Sequence, residues 1–194
     1  MKKLLLVVLC LSAGLVSFGQ NKEVQKQIKD VKFFGVDYSL AKVYGSDETL
    51  GQFIDAFARI NGLFITESNK YNVAKYFKKK VTETLISQIQ DINDNITDDS
   101  LFGGTASYKI TDDMLENHIK SLPLSATDGT GLVFVTELMN KSYKQASYHI
   151  VFFDIASREI LDSWNAIGKA KGFGLRNYWA GSIFNVLENV KIKN

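Results

Sequence analysis

The sequence predicts an α+β domain: a mixed, largely antiparallel sheet of about four strands with helices packed on it, in the order β-α-α-α-β-β-β-α. Three observations carry this. Residues 131–170 contain three consecutive runs rich in β-branched and aromatic residues, joined by short turn segments. Apolar residues at helical spacing precede those runs, and one further helical stripe follows them. A separate β-rich run, "VKFFGVDYSLAKVYG", opens the domain.

Taken in order, residues 20–30 are polar and read as a flexible leader before a single domain over 31–194. Residues 31–44 read as the first strand, bulged at Gly35 and closed by Gly45. Ser46 or Asp47 then caps a helix whose apolar face is Leu50, Phe53, Ile54, Phe57 and Ile60, with Gly62 as its end. A longer helix is predicted over 71–92, because Val73, Phe77, Val81, Leu85, Ile89 and Ile92 recur at steps of three and four. Lys78, Lys79 and Lys80 lie off that stripe and read as a solvated face rather than a basic docking patch. After a polar loop, Thr111 caps a helix with Met114, Leu115, Ile119 and Leu122 inward, and Pro123, the only proline, marks its end.

The three strands follow at about 131–139, 146–156 and 158–170, with hairpin connections at 140–145 and at Ser157-Arg158. The middle strand is apolar on both sides, with Ile150 and Phe152 on one and Val151, Phe153 and Ile155 on the other, as a central strand should be. The closing helix, over about 177–191, buries Trp179, Ile183, Val186, Leu187 and Val190.

The first nineteen residues read as an export signal. Lys2 and Lys3 precede an apolar segment, and Ser17 and Gly19 are the small residues before a cut after Gly19. The rival reading, a lipid anchor on Cys10, meets Leu9 where a small residue is wanted. Cleavage leaves an exported chain, periplasmic or secreted, of about 175 residues, one ordinary domain. It removes the only cysteine, and with it thiol chemistry and disulfides. It also removes two lysines, leaving 21 basic residues against 21 acidic. A near-neutral chain gives no electrostatic argument for nucleic acid or for an anionic membrane surface. No later apolar run is long enough to cross a bilayer.

No catalytic residues, metal site or cofactor are assigned. "DINDNITDDSLF" begins like a calcium loop, but Ile96 stands at its glycine position and Phe102 at its glutamate position. The two histidines, His118 and His149, fall on different elements and form no ligand pair; His149 reads as structural. A nucleophile elbow is absent. Asp37, Glu137, Asp154 and Asp162 lie in predicted strands, where apolar neighbours would raise a carboxyl pKa. They leave open a small-molecule binder or hydrolase.

"KGFGLRNYWAG" asks for its own account. It is not a dinucleotide fingerprint, since Asn177 stands at the third glycine position and no strand follows the helix. Two readings remain. Lys169, Lys171, Arg176 and Asn177 at a helix start would contact an anionic ligand or a partner. Alternatively, Gly172 and Gly174 make a tight turn while Gly181 lets the helix approach the sheet. The packing reading explains more residues.

Residues 131–187, with "FGVDYSLAKVYG" as an N-terminal companion, resemble the C-terminal half of small exported bacterial proteins of unknown function. More distantly, the meander, glycine turn and final helix resemble a domain of envelope lipoproteins that bind partner proteins: the TolB N-terminal domain and the curli-secretion and penicillin-binding-protein activator lipoproteins. The likeness is topological and transfers no functional residue. With no catalytic constellation assembled and a near-neutral charge, the chain reads as a non-enzymatic envelope protein that binds or helps assemble another protein.

Overall fold

The computed structural model describes residues 20–190. The export signal read over 1–19 and the final residues 191–194 lie outside the described residues. In chain order the elements are α1 (Lys22–Gln27), β1 (Asp30–Asp37), β2 (Lys42–Tyr44), α2 (Leu50–Thr66), α3 (Val73–Phe77), β3 (Lys80–Thr84), α4 (Ile86–Asn93), α5 (Asp98–Phe102), α6 (Asp112–Ser121), β4 (Thr130–Asn140), β5 (Gln145–Asp154), β6 (Ile160–Lys169) and α7 (Leu175–Asn189).

The architecture is α+β with one mixed sheet of six strands, where about four were expected. Its order is β3-β1-β4-β5-β6, and β2 lies beside the far part of β4. The expected meander is present: β4–β5 and β5–β6 pair antiparallel. β1 runs parallel to both β3 and β4. The two faces of β5 behave as the alternation required. Ile150 and Phe152 join a core under α2, α3 and α7, while Val151, Phe153 and Ile155 join a second core with Ile89 of α4 and Leu115 and Ile119 of α6.

The first strand, expected as one run over 31–44, is broken. After Asp37 the chain leaves the ladder in a turn closed by the Ala41 N–H on the Tyr38 carbonyl. It returns as β2 along the same edge of β4, with Lys42 opposite Leu138. Two buried asparagines hold the break. Asn61 of α2 accepts from the Val36 N–H at 2.8 Å and donates to the Val36 carbonyl at 2.9 Å. Asn93 of α4 donates to the same carbonyl at 3.0 Å and accepts from the Tyr38 N–H at 2.7 Å. Asn61→Ala removes the acceptor of the buried Val36 N–H, while the Val36 carbonyl keeps Asn93, at about 2 kcal/mol. The expected result is a thermal midpoint lower by about 6 °C.

The predicted helix over 71–92 is α3, β3 and α4. Lys78 turns left-handed (φ 53°) and ends α3. The β-branched run Val81-Thr82 then pairs with β1, Val31 opposite Val81. The helical spacing of the apolar residues survives, yet the stripe is shared between the two cores. Val73, Phe77 and Val81 pack in the first; Leu85, Ile89 and Ile92 pack in the second. The lysine face is corrected too. Lys79 is buried, and its Nζ donates to the carbonyls of Gln25 and Ile28. Burial lowers its pKa.

Residues 22–27, placed in the leader, form α1, capped by Asn21 and fastened by Gln25 Nε2 on Asp162 at 2.8 Å. Residue Thr49, rather than Ser46 or Asp47, caps α2 through a reciprocal capping box with Gln52. α2 runs past Gly62 to Thr66. α6 ends at Ser121, just before Pro123, as expected.

α7 closes the first face, packing across β6 and against α2. Trp179 is only 1% exposed. Among the described residues no helix is long and apolar enough to cross a membrane.

Candidate functional site

One end of the sheet gathers the residues singled out at the β6–α7 junction. β2 and β4 end there, β5 begins there and β6 ends there. Three loops are tied together at this tip. The Lys141 N–H donates to the Tyr44 carbonyl at 3.0 Å, and the Ala170 N–H to the Lys144 carbonyl at 2.8 Å.

The 170–174 turn is built by its glycines. Gly172 (φ 141°) and Gly174 (φ 77°) hold backbone angles that side chains disfavour. A Cβ on Gly172 would also lie 2.6 Å from the Asn177 carbonyl oxygen. Gly181 faces the Lys171 backbone so closely that a Cβ there would overlap its carbonyl oxygen. The Lys171 N–H is spent on the Tyr178 carbonyl at 3.1 Å. The packing account of "KGFGLRNYWAG" therefore describes what its glycines do.

Of the four predicted contact residues, Lys169, Lys171 and Asn177 line a cleft of about 560 Å³ between the end of α2 and α7, with Tyr71, Phe184 and Glu67 on its other walls. Arg176 is turned elsewhere. Its Nε and Nη2 donate to Asn177 Oδ1 at 3.0 and 2.7 Å, and Asn177 Nδ2 donates in turn to the Phe173 carbonyl at 3.1 Å. Those two side chains thus brace the loop that carries Phe173.

Phe173 itself was not singled out by sequence. It is 95% exposed, an aromatic ring on a turn whose Phe173 and Gly174 carbonyls accept from Asn177 Nδ2 and the Tyr178 N–H. Tyr143, on the adjacent β4–β5 hairpin, is 71% exposed, and its N–H is fixed by Asn140 Oδ1 at 3.0 Å. The signal available in the sequence was an aromatic between two glycines, with Lys171 and Arg176 near it, and another in a four-residue hairpin between Lys141 and Lys144.

The strand carboxylates are engaged separately. Glu137, 1% exposed, accepts from Lys109 Nζ (2.9 Å), Ser147 Oγ (2.7 Å) and Asn165 Nδ2 (3.3 Å) on one oxygen. Its other oxygen takes the Ile110 N–H (3.1 Å) and faces His149 Nε2 at 3.3 Å. Burial alone would raise its pKa, but these donors hold it down to about 2. Asp37 is wholly buried. Desolvation pushes it up, and His118 Nε2 at 2.6 Å with the hydroxyl and N–H of Ser39 pull it below the usual range. Asp154 caps its own turn through the Ser157 N–H at 2.8 Å, which lowers its pKa. Asp162 anchors α1 through the Asn21 N–H at 3.0 Å and Gln25.

The carboxyls of Asp37, Glu137 and Asp154 are thus shifted down, where apolar neighbours were expected to raise them. They are ionised acceptors that tie elements together. In neither hub does a serine bond its histidine: Ser39 and His118 both bond Asp37, and Ser147 and His149 both bond Glu137. That is not the relay a hydrolytic serine needs. The calcium-like loop is likewise committed, since Asn93 turns inward to β1 and Asn95 Nδ2 bonds the Asp91 carbonyl at 2.6 Å.

No family model, no curated protein and no solved structure matches the chain.

Proposed function

We propose that the chain is a non-enzymatic binding module of the cell envelope that docks onto another envelope component through the tip of its sheet. One observation carries this reading: Phe173 stands almost fully in water on a glycine-flanked turn whose Phe173 carbonyl is held by Asn177. A large apolar side chain displayed on a braced loop is a preorganised anchor, because its ordering cost is met before any contact forms. The engaged carboxylate hubs add support, since they occupy the acids a hydrolase would need. Residues Lys169, Lys171, Arg176 and Asn177 are then contact or bracing residues of the same surface. The meander, glycine turn and final helix, which resemble those of partner-binding envelope domains, support the same role.

A photo-crosslinking phenylalanine analogue in place of Phe173 tests this in cells, compared with one at the partly exposed Met114 of α6. Adducts that form at 173 and not at 114 are expected. Equal labelling at the two positions, or none at 173, overturns the docking surface.

A further inference from the structure

We infer that the component met by the tip is an anionic lipid surface, with Phe173 and Tyr143 entering the headgroup boundary and Lys144, Lys169, Lys171 and Arg176 facing lipid phosphates. The inference rests on the docking reading above and gives it a partner.

Charge is the first ground. Residues 141–144 and 169–176 hold five basic side chains and no acidic one, whereas the rest of the chain beyond residue 19 holds 16 basic residues against 21 acidic. Strand pairing brings the two segments together, with Gln145 opposite Lys169. Lys141 is neutralised by Glu48 at 3.0 Å. Among the described residues none of the other four is ion-paired to a carboxylate within 4.0 Å. The acids Glu67 and Glu188 share the cleft between the end of α2 and α7 with Lys169 and Lys171, and Glu67 is ion-paired with Lys70 at 3.8 Å.

Shape and composition choose between a bilayer and a protein. Protein–protein interface cores are depleted in lysine and surround their aromatic anchors with packed apolar contacts. Here Lys144 adjoins Tyr143 on one segment, Lys169 and Lys171 precede Phe173 on the other, and the immediate neighbours of Phe173 are glycines. Interfacial membrane sites have the first pattern reversed: aromatic rings at headgroup depth beside lysines whose stems lie along apolar surface while their ammonium groups reach phosphate.

The test uses the chain from Gln20 onward, which holds every described element, so that the apolar segment before it does not contribute. Sedimentation with vesicles of phosphatidylcholine alone is compared with vesicles that also contain phosphatidylglycerol. Retention is expected on the anionic vesicles, falling as salt is added. Phe173→Ser should weaken it at least tenfold, because the ring's transfer from water is lost. Lys144→Gln and Lys171→Gln should each weaken it about fivefold. None of the three should move the thermal midpoint, since these side chains are exposed. No retention on anionic vesicles, or retention indifferent to Phe173→Ser, overturns the lipid assignment. If that happens while protein adducts form at position 173, the docking surface stands and its partner is a protein. If neither vesicles nor adducts are found, both readings fall together.

Discussion

Glu137→Ala is expected to lower folding stability by about 4 kcal/mol, the cost of breaking a buried charged hub by removing one member. The carboxylate is the shared acceptor for groups from three separate parts of the chain: Lys109 and Ile110 in the loop before α6, Ser147 and His149 on β5, and Asn165 on β6. Its loss strands the Ile110 N–H and the Ser147 hydroxyl, both buried. Each buried group left without a partner carries a desolvation cost of about 1–3 kcal/mol. Lys109 contributes little to the loss, because its side chain is mostly exposed and water replaces the carboxylate.

The same residue sets the acid limb of stability. Glu137 titrates at about 2 in the folded chain against an ordinary value of 4.5. Its folded pKa is depressed, so its contribution is fully present above pH 4.5 and is lost as pH falls towards 2. A shift of that size corresponds to about 3 kcal/mol. Asp37, also lowered, acts in the same direction below its ordinary 3.8. Denaturant unfolding followed across this window should show a steep acid loss in the parent chain. Glu137→Gln, which keeps the shape and removes the charge, should flatten it. An unchanged slope in that variant would assign the acid sensitivity elsewhere.

The meander was legible because its three runs are rich in β-branched and aromatic residues and its turns are short; Ile150 and Val151 alone announce two buried faces. The helix read over 71–92 shows the limit of periodicity. Val73 to Ile92 keep a helical rhythm, yet β3 crosses the layer between them and sends the two ends of the stripe to opposite cores. What decided it was local: a left-handed Lys78 and the β propensity of Val81-Thr82, with an open edge of β1 ready to pair. Lys79 was unreadable for a similar reason, since its burial depends on carbonyls at Gln25 and Ile28, fifty residues away.

At the tip, the residues were found and their arrangement was not. Lys169, Lys171, Arg176 and Asn177 stand in one segment, so sequence could mark them. Lys144 and Tyr143 join them only through the β5–β6 register. Net charge hid the cluster, because a sum over the chain cannot show that five cations of two segments meet on one edge. A near-neutral total gives no electrostatic argument for an anionic surface, and it is silent on how charge is distributed along one edge. Phe173 escaped notice because exposure of a loop aromatic is a property of its bracing, here Asn177 and two glycines, and not of its own type.

Gly168→Ala and Gly62→Ala, the same chemical change in two regular elements, are expected to act with opposite sign. Gly168 sits on β6 beneath α7. A Cβ there would overlap the Ser182 carbonyl oxygen, lie 2.7 Å from its carbon and 3.0 Å from Val186 Cγ2. The obstruction is helix backbone, so no rotamer change relieves it, and α7 would have to lift from the sheet. That movement opens the packing of Trp179, Ile183 and Val186 against the core. The cost belongs at the upper end of the overpacking range, about 3 kcal/mol. Gly62 lies inside α2 with nothing within 4 Å of the added carbon. Alanine there favours the helix by about 0.5–1 kcal/mol. Lifting α7 would also drag the Lys171 backbone that Gly181 abuts, so the Gly168 variant should lose tip docking together with stability, whereas Phe173→Ser loses docking alone. Parallel thermal unfolding of the two glycine variants separates close approach from mere flexibility: if Gly168→Ala unfolds with or above the parent, α7 does not rest on β6 as described, and the braced tip it supports has no foundation.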